Sequence, residues 1–108
     1  MIVHDANYGA NGYLAWVSGG CGSDIYWELP LNLYWNQYYL DDDSANVKKA
    51  VGVHELGHVY GLWHTSHQDC HNQLNHGAMM YSDPVWMYSN CSWTTPKVDD
   101  VEGVNAIY

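Results

Sequence analysis

One eleven-residue stretch, HELGHVYGLWH at positions 54–64, constrains this chain more than any other feature. His54 and His58 stand four residues apart, and on a helix that spacing places both imidazoles on one face, about one turn apart. Two nitrogens so placed can bind one metal ion. Gly61 can then end the helix and turn the chain, so that His64 supplies a third nitrogen. The spacing therefore predicts a three-histidine zinc site.

Glu55 directly follows the first of these histidines. Three protein ligands leave the fourth position of a tetrahedral zinc open for water, which is the catalytic arrangement, and a carboxylate here can reach that water. We therefore predict that Glu55 is catalytic. The alternative is an amphipathic helix with incidental surface histidines. The flanking sequence favours a helix over residues 45–60, with Asp43 or Ser44 as its cap.

Composition limits the classes of function open to the chain. Its 108 residues suffice for one domain and one modest core. The net charge is −9, with three Lys and no Arg, so a basic face for nucleic acid is lacking. No apolar run approaches the ~20 residues of a membrane helix, and no signal peptide is visible. We expect a monomer that binds neither nucleic acid nor membrane.

The cysteines and the remaining loop histidines leave several interpretations open. Cys70 and Cys91 bracket the segment after the zinc motif, and we predict a disulfide between them, with Cys21 free or paired outside the chain. The segment after the motif also holds three histidines that could bind a second metal, although solvated polar side chains are the commoner explanation. They are His67, His71 and His76. A calcium site in the loop 18–24 has no further support.

The rest of the chain indicates short strands followed by helices, as in an α+β fold. The predicted strands are residues 2–4, 13–17, 25–27 and 31–35, with Pro30 separating the last two and loops at 5–12 and 18–23. Residues 61–95 are predicted to be a long loop-rich segment. Thr95 as cap and Pro96 at the first helical position predict a last helix that ends near Ile107.

Three further segments extend the zinc motif into a family pattern. AMMY at 78–81 resembles a methionine turn, VDDVEGVNAIY at 98–108 resembles a closing helix, and GYLA at 12–15 resembles a substrate-binding edge strand. With the zinc motif, they make the chain similar to the matrixin branch of the metzincin zinc metallopeptidases, especially its small bacterial or archaeal members. The zinc motif is specific, whereas the strand matches are loose.

The resemblance implies a metzincin-type α+β fold and a secreted, zinc-dependent endopeptidase acting on a peptide or protein substrate. It implies that Met80 forms the floor below the ligands with Tyr81 after it, and that Leu14 and Ala15 lie on the strand that holds the substrate. Were Met79 the turn residue instead, Tyr81 would stand at the offset used by astacins, whose tyrosine reaches the zinc.

The chain also departs from the matrixin pattern. The family's opening strands and first helix have no counterpart before Met1, so the domain is either N-terminally incomplete or a pared-down version. Thr65 replaces the usual Ser after the third histidine. Trp16 and Tyr26 stand where the histidines of the family's structural zinc would be, so we expect no second zinc of that kind. Two alternatives to an enzyme remain, namely a zinc-binding domain that does not cleave and a protein-interaction module on this scaffold.

Overall fold

The computed structural model describes residues 1–21, 27–66, 68–70 and 78–107. These residues form a small α+β structure with three strands and four helices. In chain order the elements are β1 (Ile2–Ala6), β2 (Ala15–Cys21), β3 (Trp27–Asn36), α1 (Gln37–Leu40), α2 (Ala45–Val59), α3 (Pro84–Cys91) and α4 (Val98–Ile107). In none of the described stretches is a helix long and apolar enough to cross a bilayer.

The three strands form a mixed sheet in the order β1-β3-β2. β1 runs parallel to β3, whereas β2 runs antiparallel to it. Aromatic rings from all three strands stack on one face: the ring of Tyr34 lies 4.9 Å from that of Trp16 and 4.6 Å from that of His4. Side chains alternate between the faces of a strand, and Leu33, the neighbour of Tyr34, is buried.

β3 is continuous through Pro30, so the predicted break at this residue is wrong. The physical reason is an irregularity in the pairing. Ser18 pairs with Asn32 and Gly20 with Glu28, with a register shift between them, and β1 joins β3 only from Asn32 onward. Pro30 therefore lies beside the irregular segment, where its missing N–H removes no regular ladder bond.

β2 begins at Ala15, two residues later than predicted, and extends into the predicted loop. The glycine-rich end of β2 pairs with the start of β3, as in the partners Cys21 and Trp27. Residues 25 and 26 of the predicted third strand lie outside the described residues, and so do residues 22–24 of the candidate calcium loop 18–24.

α2 matches the predicted helix closely. Ser44 rather than Asp43 is its cap, because the Ser44 side chain accepts a hydrogen bond from the Val47 N–H at 3.2 Å. The helix buries Val51 against Ala15 of β2 and Leu40 of α1 to form the core. This packing fixes the histidine-bearing helix beneath the strand edge.

Two helices differ from the predictions. α3 lies within the segment expected to be loop, and it begins where Asp83 accepts from the Trp86 N–H at 2.9 Å ahead of Pro84 at the first turn. α4 begins at Val98, later than the predicted cap at Thr95. The cause is a buried carboxylate in its first turn, since the Lys97 N–H donates to Asp100 Oδ2 at 2.7 Å.

Candidate metal centre

α2 presents His54 and His58 on one face, with ring centroids 4.9 Å apart. The helix ends at Val59, and Gly61 follows with a φ of 93°, a conformation that glycine adopts without strain. The Gly61 N–H donates to the His58 carbonyl at 2.9 Å, so the chain turns back immediately. His64 thereby places its Nε2 3.1 Å from the Nε2 of both His54 and His58. The three predicted ligands lie close enough to hold one metal ion.

Two backbone carbonyls orient the first two imidazoles. His54 Nδ1 donates to the Met79 carbonyl at 2.7 Å, and His58 Nδ1 donates to the Leu62 carbonyl at 2.8 Å. A carbonyl oxygen can only accept, so Nδ1 carries a proton in both rings, and the neutral form of either ring has its free lone pair on Nε2. Zn–N bonds in ideal tetrahedral geometry separate ligand nitrogens by about 3.3 Å, close to the distances found here. The donor set fits zinc, although imidazole nitrogens also suit other transition metals.

The surroundings favour the neutral form of two of these rings, His54 and His64. Burial lowers the pKa of His54 from 6.5 to about 4, and nearby His58 and His64 add to this effect, while the Met79 hydrogen bond and Asp83 oppose it. Burial also lowers the pKa of His64, with a further contribution from His58. A neutral imidazole is the form that binds a metal, so the site is prepared for one at neutral pH.

Glu55 lines the same cleft as the histidines but is not part of the ligand cluster. Its side chain is only 6% exposed, and Oε2 is buried with no hydrogen-bond partner among the residues described. Burial raises the pKa of this carboxyl from 4.5 to about 7. An unpaired buried carboxyl oxygen destabilises a fold. A metal or a polar ligand in the cleft would offset that cost, which is independent support for an occupied site.

The predicted methionine turn lies directly against α2. Met79 and Met80 are both buried. The Met80 thioether packs on the backbone of Gly57, so closely that a Cβ at this position would overlap its Sδ. The Thr65 N–H donates to the Met80 carbonyl at 3.0 Å, and Thr65 forms an isolated bridge with Tyr81. The turn therefore contacts both the histidine-bearing helix and the loop that carries the third histidine.

Asp100 of α4 holds this turn in place, a role that the sequence analysis missed. Its buried carboxylate accepts from the N–H of Met79 at 2.9 Å and from the N–H of Met80 at 3.2 Å, as well as from Lys97. Because the Met79 carbonyl orients His54, α4 is connected to the metal centre through two hydrogen bonds in series. The sequence showed only an acidic residue in the first turn of a helix, and such a residue is normally explained by its favourable interaction with the helix dipole.

A cleft of about 810 Å³ runs between the edge of β2 and the three histidines. Leu14 and Ala15, the predicted substrate-binding residues, both line it. The Ala15 side chain is also buried in the core against Leu40 and Val51, so it is the backbone of this residue that remains for contacts in the cleft. Ser82 to Pro84 line the cleft as well, as does the exposed ring of Tyr13.

The chain leading into β2 is fixed by Asn36, a second residue that the sequence analysis missed. Asn36 is fully buried, and its Nδ2 donates to the carbonyls of Gly9 and Tyr13 and to Asn11 Oδ1, at 3.0–3.1 Å. Its Oδ1 accepts from the Tyr8 N–H at 3.0 Å. The Asn36 amide group thus forms hydrogen bonds to several groups of the segment that borders the cleft.

The predicted disulfide between Cys70 and Cys91 is confirmed, with the two Cα atoms 5.3 Å apart. It joins the loop after the third histidine to the end of α3. The side chain of Cys21 lies outside the described part of the structure, and so do residues 67 and 71–77, which include the three loop histidines considered for a second metal.

Comparison of the chain with protein families, with curated proteins and with solved structures yields no match. The structure thus supports a small α+β protein with a three-histidine cluster able to bind a metal. Any assignment of this chain to a family therefore depends on the sequence motif and on the chemistry of the site.

Proposed function

We propose that this protein is a zinc-dependent endopeptidase of the metzincin type. The observation that carries the proposal is the convergence of three imidazole Nε2 atoms in the same cleft as a buried carboxyl oxygen that has no hydrogen-bond partner among the described residues. A closed structural site would have no use for a carboxyl group held next to its ligands. The Met80 contact with Gly57 and the matrixin-like sequence segments are additional support.

Each side chain then has a defined task. His54, His58 and His64 would hold the zinc ion. Bound zinc lowers the pKa of a coordinated water toward ~7 and polarises a carbonyl oxygen. Glu55 accepts the proton of the attacking water and passes it to the leaving amine. Its raised pKa, about 7 without a metal, suits a group that must both take and release a proton near neutrality. A cation beside it would lower that pKa.

The substrate would lie along the open edge of β2. β3 pairs with one side of β2, and the other side faces the cleft in the described structure. An extended peptide can add to such an edge through main-chain hydrogen bonds. The segment from Tyr81 to Pro84 would form the opposite wall, beside the bond to be cleaved.

We also propose an extracellular location. The Cys70–Cys91 disulfide supports it, because such bonds persist mainly in oxidising compartments. The family resemblance points in the same direction.

Hydrolysis of an unstructured protein substrate tests the proposal directly. Cleavage by the zinc-loaded protein should stop on addition of a chelator and return on addition of zinc. Glu55→Gln should bind zinc as well as the parent chain and cleave at least about 100-fold more slowly, which also excludes a contaminating protease. Tight zinc binding by the parent chain without any cleavage would instead favour the non-cleaving alternative.

A further inference from the structure

Trp63 is the most exposed large apolar residue that the structure describes, at 80% exposure, followed by Tyr13 at 63%. It immediately precedes the third histidine. Its ring is nevertheless not isolated, because its centroid lies 5.2 Å from that of His64 and 5.6 Å from that of His58. A large indole held against two metal-site rings, with most of its surface open, is placed to contact a ligand at that site.

The ring of Trp63 borders two depressions. One is the cleft of the metal centre, and the other is a neighbouring hollow of about 320 Å³ whose walls include Asp99 and Glu102 of α4. Asp100 also lines the hollow, but its carboxylate is occupied by backbone N–H groups. Carboxylates beside an open indole face suit a cation, since the indole face is itself attractive to positive charge.

None of the lysines of this chain lies at this position. The chain contains no Arg and only three Lys, none of which lines the cleft or the hollow. The nearest in sequence to the hollow, Lys97, has its Nζ 5.0 Å above the ring of Trp93 and bonded to Thr95. A lysine or arginine side chain at Trp63 would therefore have to come from a bound molecule.

We propose that Trp63 is a specificity-determining residue that receives an arginine or lysine side chain of the substrate. The aliphatic part of that side chain would cover the indole, and its charge would face Asp99 and Glu102. The inference rests on the proposed endopeptidase function, because it assigns one side chain of the peptide that the cleft would hold. Guanidinium should be preferred, since its planar group stacks on an indole face.

Peptide binding to the full zinc-loaded chain tests this without requiring turnover. The Glu55→Gln variant is titrated with alanine-based hexapeptides in which one residue is Arg, Lys, norleucine or Glu, moved through all six positions. At one position Arg and Lys should bind roughly 3- to 10-fold more tightly than norleucine, the range expected for a cation over an indole. Glu should bind most weakly, and added salt should reduce the advantage of Arg and Lys.

Substitutions then locate the preference. Trp63→Leu should abolish it, Trp63→Phe should retain part of it, and Tyr13→Leu, at the other exposed ring of the cleft, should leave it unchanged. The inference is overturned if norleucine binds as well as Arg, if the preference survives Trp63→Leu, or if no peptide binds. Cleavage by the parent chain is measured in parallel. Cleavage without the preference refutes this inference alone, whereas the preference without cleavage refutes only the proposed function.

Discussion

The Asp100 carboxylate accepts a hydrogen bond from the N–H of Met79, whose carbonyl in turn receives the proton of His54 Nδ1. Helix α4 is thus linked by hydrogen bonds to the ring of a candidate metal ligand 46 residues earlier in the chain. Asp100→Asn replaces one acceptor oxygen by an NH₂ group, which cannot accept from a backbone N–H. We expect a loss of about 1–3 kcal/mol in the free energy of unfolding and a weaker affinity for zinc.

Urea unfolding and competitive zinc titration measure the two effects. Asp99→Asn, one residue earlier in the same helical turn, is the matched control and should change stability by less than about 1 kcal/mol. Equal effects of the two substitutions would mean that the charge of the turn matters and the hydrogen bonds of Asp100 do not.

Two glycines of α2 should respond to alanine in opposite directions. At Gly57 a Cβ would overlap Met80 Sδ, whereas at Gly52 the nearest atom is a Trp35 ring carbon at 4.0 Å, an ordinary contact. Gly52→Ala should stabilise the helix by roughly 0.5–1 kcal/mol. Gly57→Ala should gain the same propensity but lose about 1–3 kcal/mol through overpacking. Thermal unfolding of both variants provides the measurement, and stabilisation by Gly57→Ala would show that Met80 can move away freely.

Glu55 and His58 should separate catalysis from metal binding. Glu55→Ala should keep its zinc and lose about 100-fold or more in peptide hydrolysis, as expected for removal of a general base. His58→Ala should lose zinc and activity together, and stability with them, because metal binding is coupled to folding. Metal analysis after dialysis and a peptidase assay distinguish the two. If Glu55→Ala lost zinc as readily as His58→Ala, Glu55 would be a ligand and the site a closed one.

In the metal-free protein, Glu55 should lower the free energy of unfolding as the pH rises. Because folding raises the pKa of this carboxyl from 4.5 to about 7, the group favours the fold fully below pH 4.5, and that contribution is lost as the pH rises through about 7. Glu55→Gln should match the parent chain near pH 4.5 and exceed it in stability at pH 8, by on the order of 3 kcal/mol at most.

The contribution of His54 to the free energy of unfolding changes with pH in the opposite direction. Its pKa falls from 6.5 to about 4, so its contribution is present above pH 6.5 and is lost as the pH falls through about 4. This contribution of His54 is present in the parent chain and in the Glu55→Gln variant, so it cancels when the two are compared. Urea unfolding in a chelator from pH 4.5 to 8 gives the difference curve, and a difference that did not vary with pH would refute the effect of Glu55.

Asn36→Ala should be among the more destabilising substitutions of an uncharged polar residue in this chain. It removes a buried amide that serves Gly9, Asn11 and Tyr13 and leaves their groups without this partner, at a cost of roughly 3 kcal/mol or more. Asn7→Ala, which removes a single exposed hydrogen bond to the Gly9 N–H, should cost less than about 1 kcal/mol. Chemical denaturation of both variants gives the comparison, and similar losses would contradict the central role of Asn36.

Local signals in the sequence predicted the parts of the site that depend on local geometry. The helix, with Asp43 or Ser44 as its cap, and the convergence of His54, His58 and His64 all follow from spacings of a few residues. Sequence analysis did not predict α3, although Asp83 and Pro84 form a regular helix start, because eight residues are too few to show a clear helical periodicity. The roles of Asn36 and Asp100 could not be predicted, since the hydrogen bonds that define these roles join residues at least 20 positions apart and depend on the tertiary fold.

The hydrogen bonds of Asn36 also have a consequence for recognition. A loop that orders only when a ligand arrives must give up conformational entropy in every binding event, and affinity falls accordingly. Here the segment before β2 is already ordered by Asn36, and its Tyr13 and Leu14 border the cleft. The conformational entropy of this segment is therefore lost during folding and is not lost again when a ligand binds. A peptide that adds to the β2 edge meets a prearranged surface, so that binding can depend on the fit of its side chains.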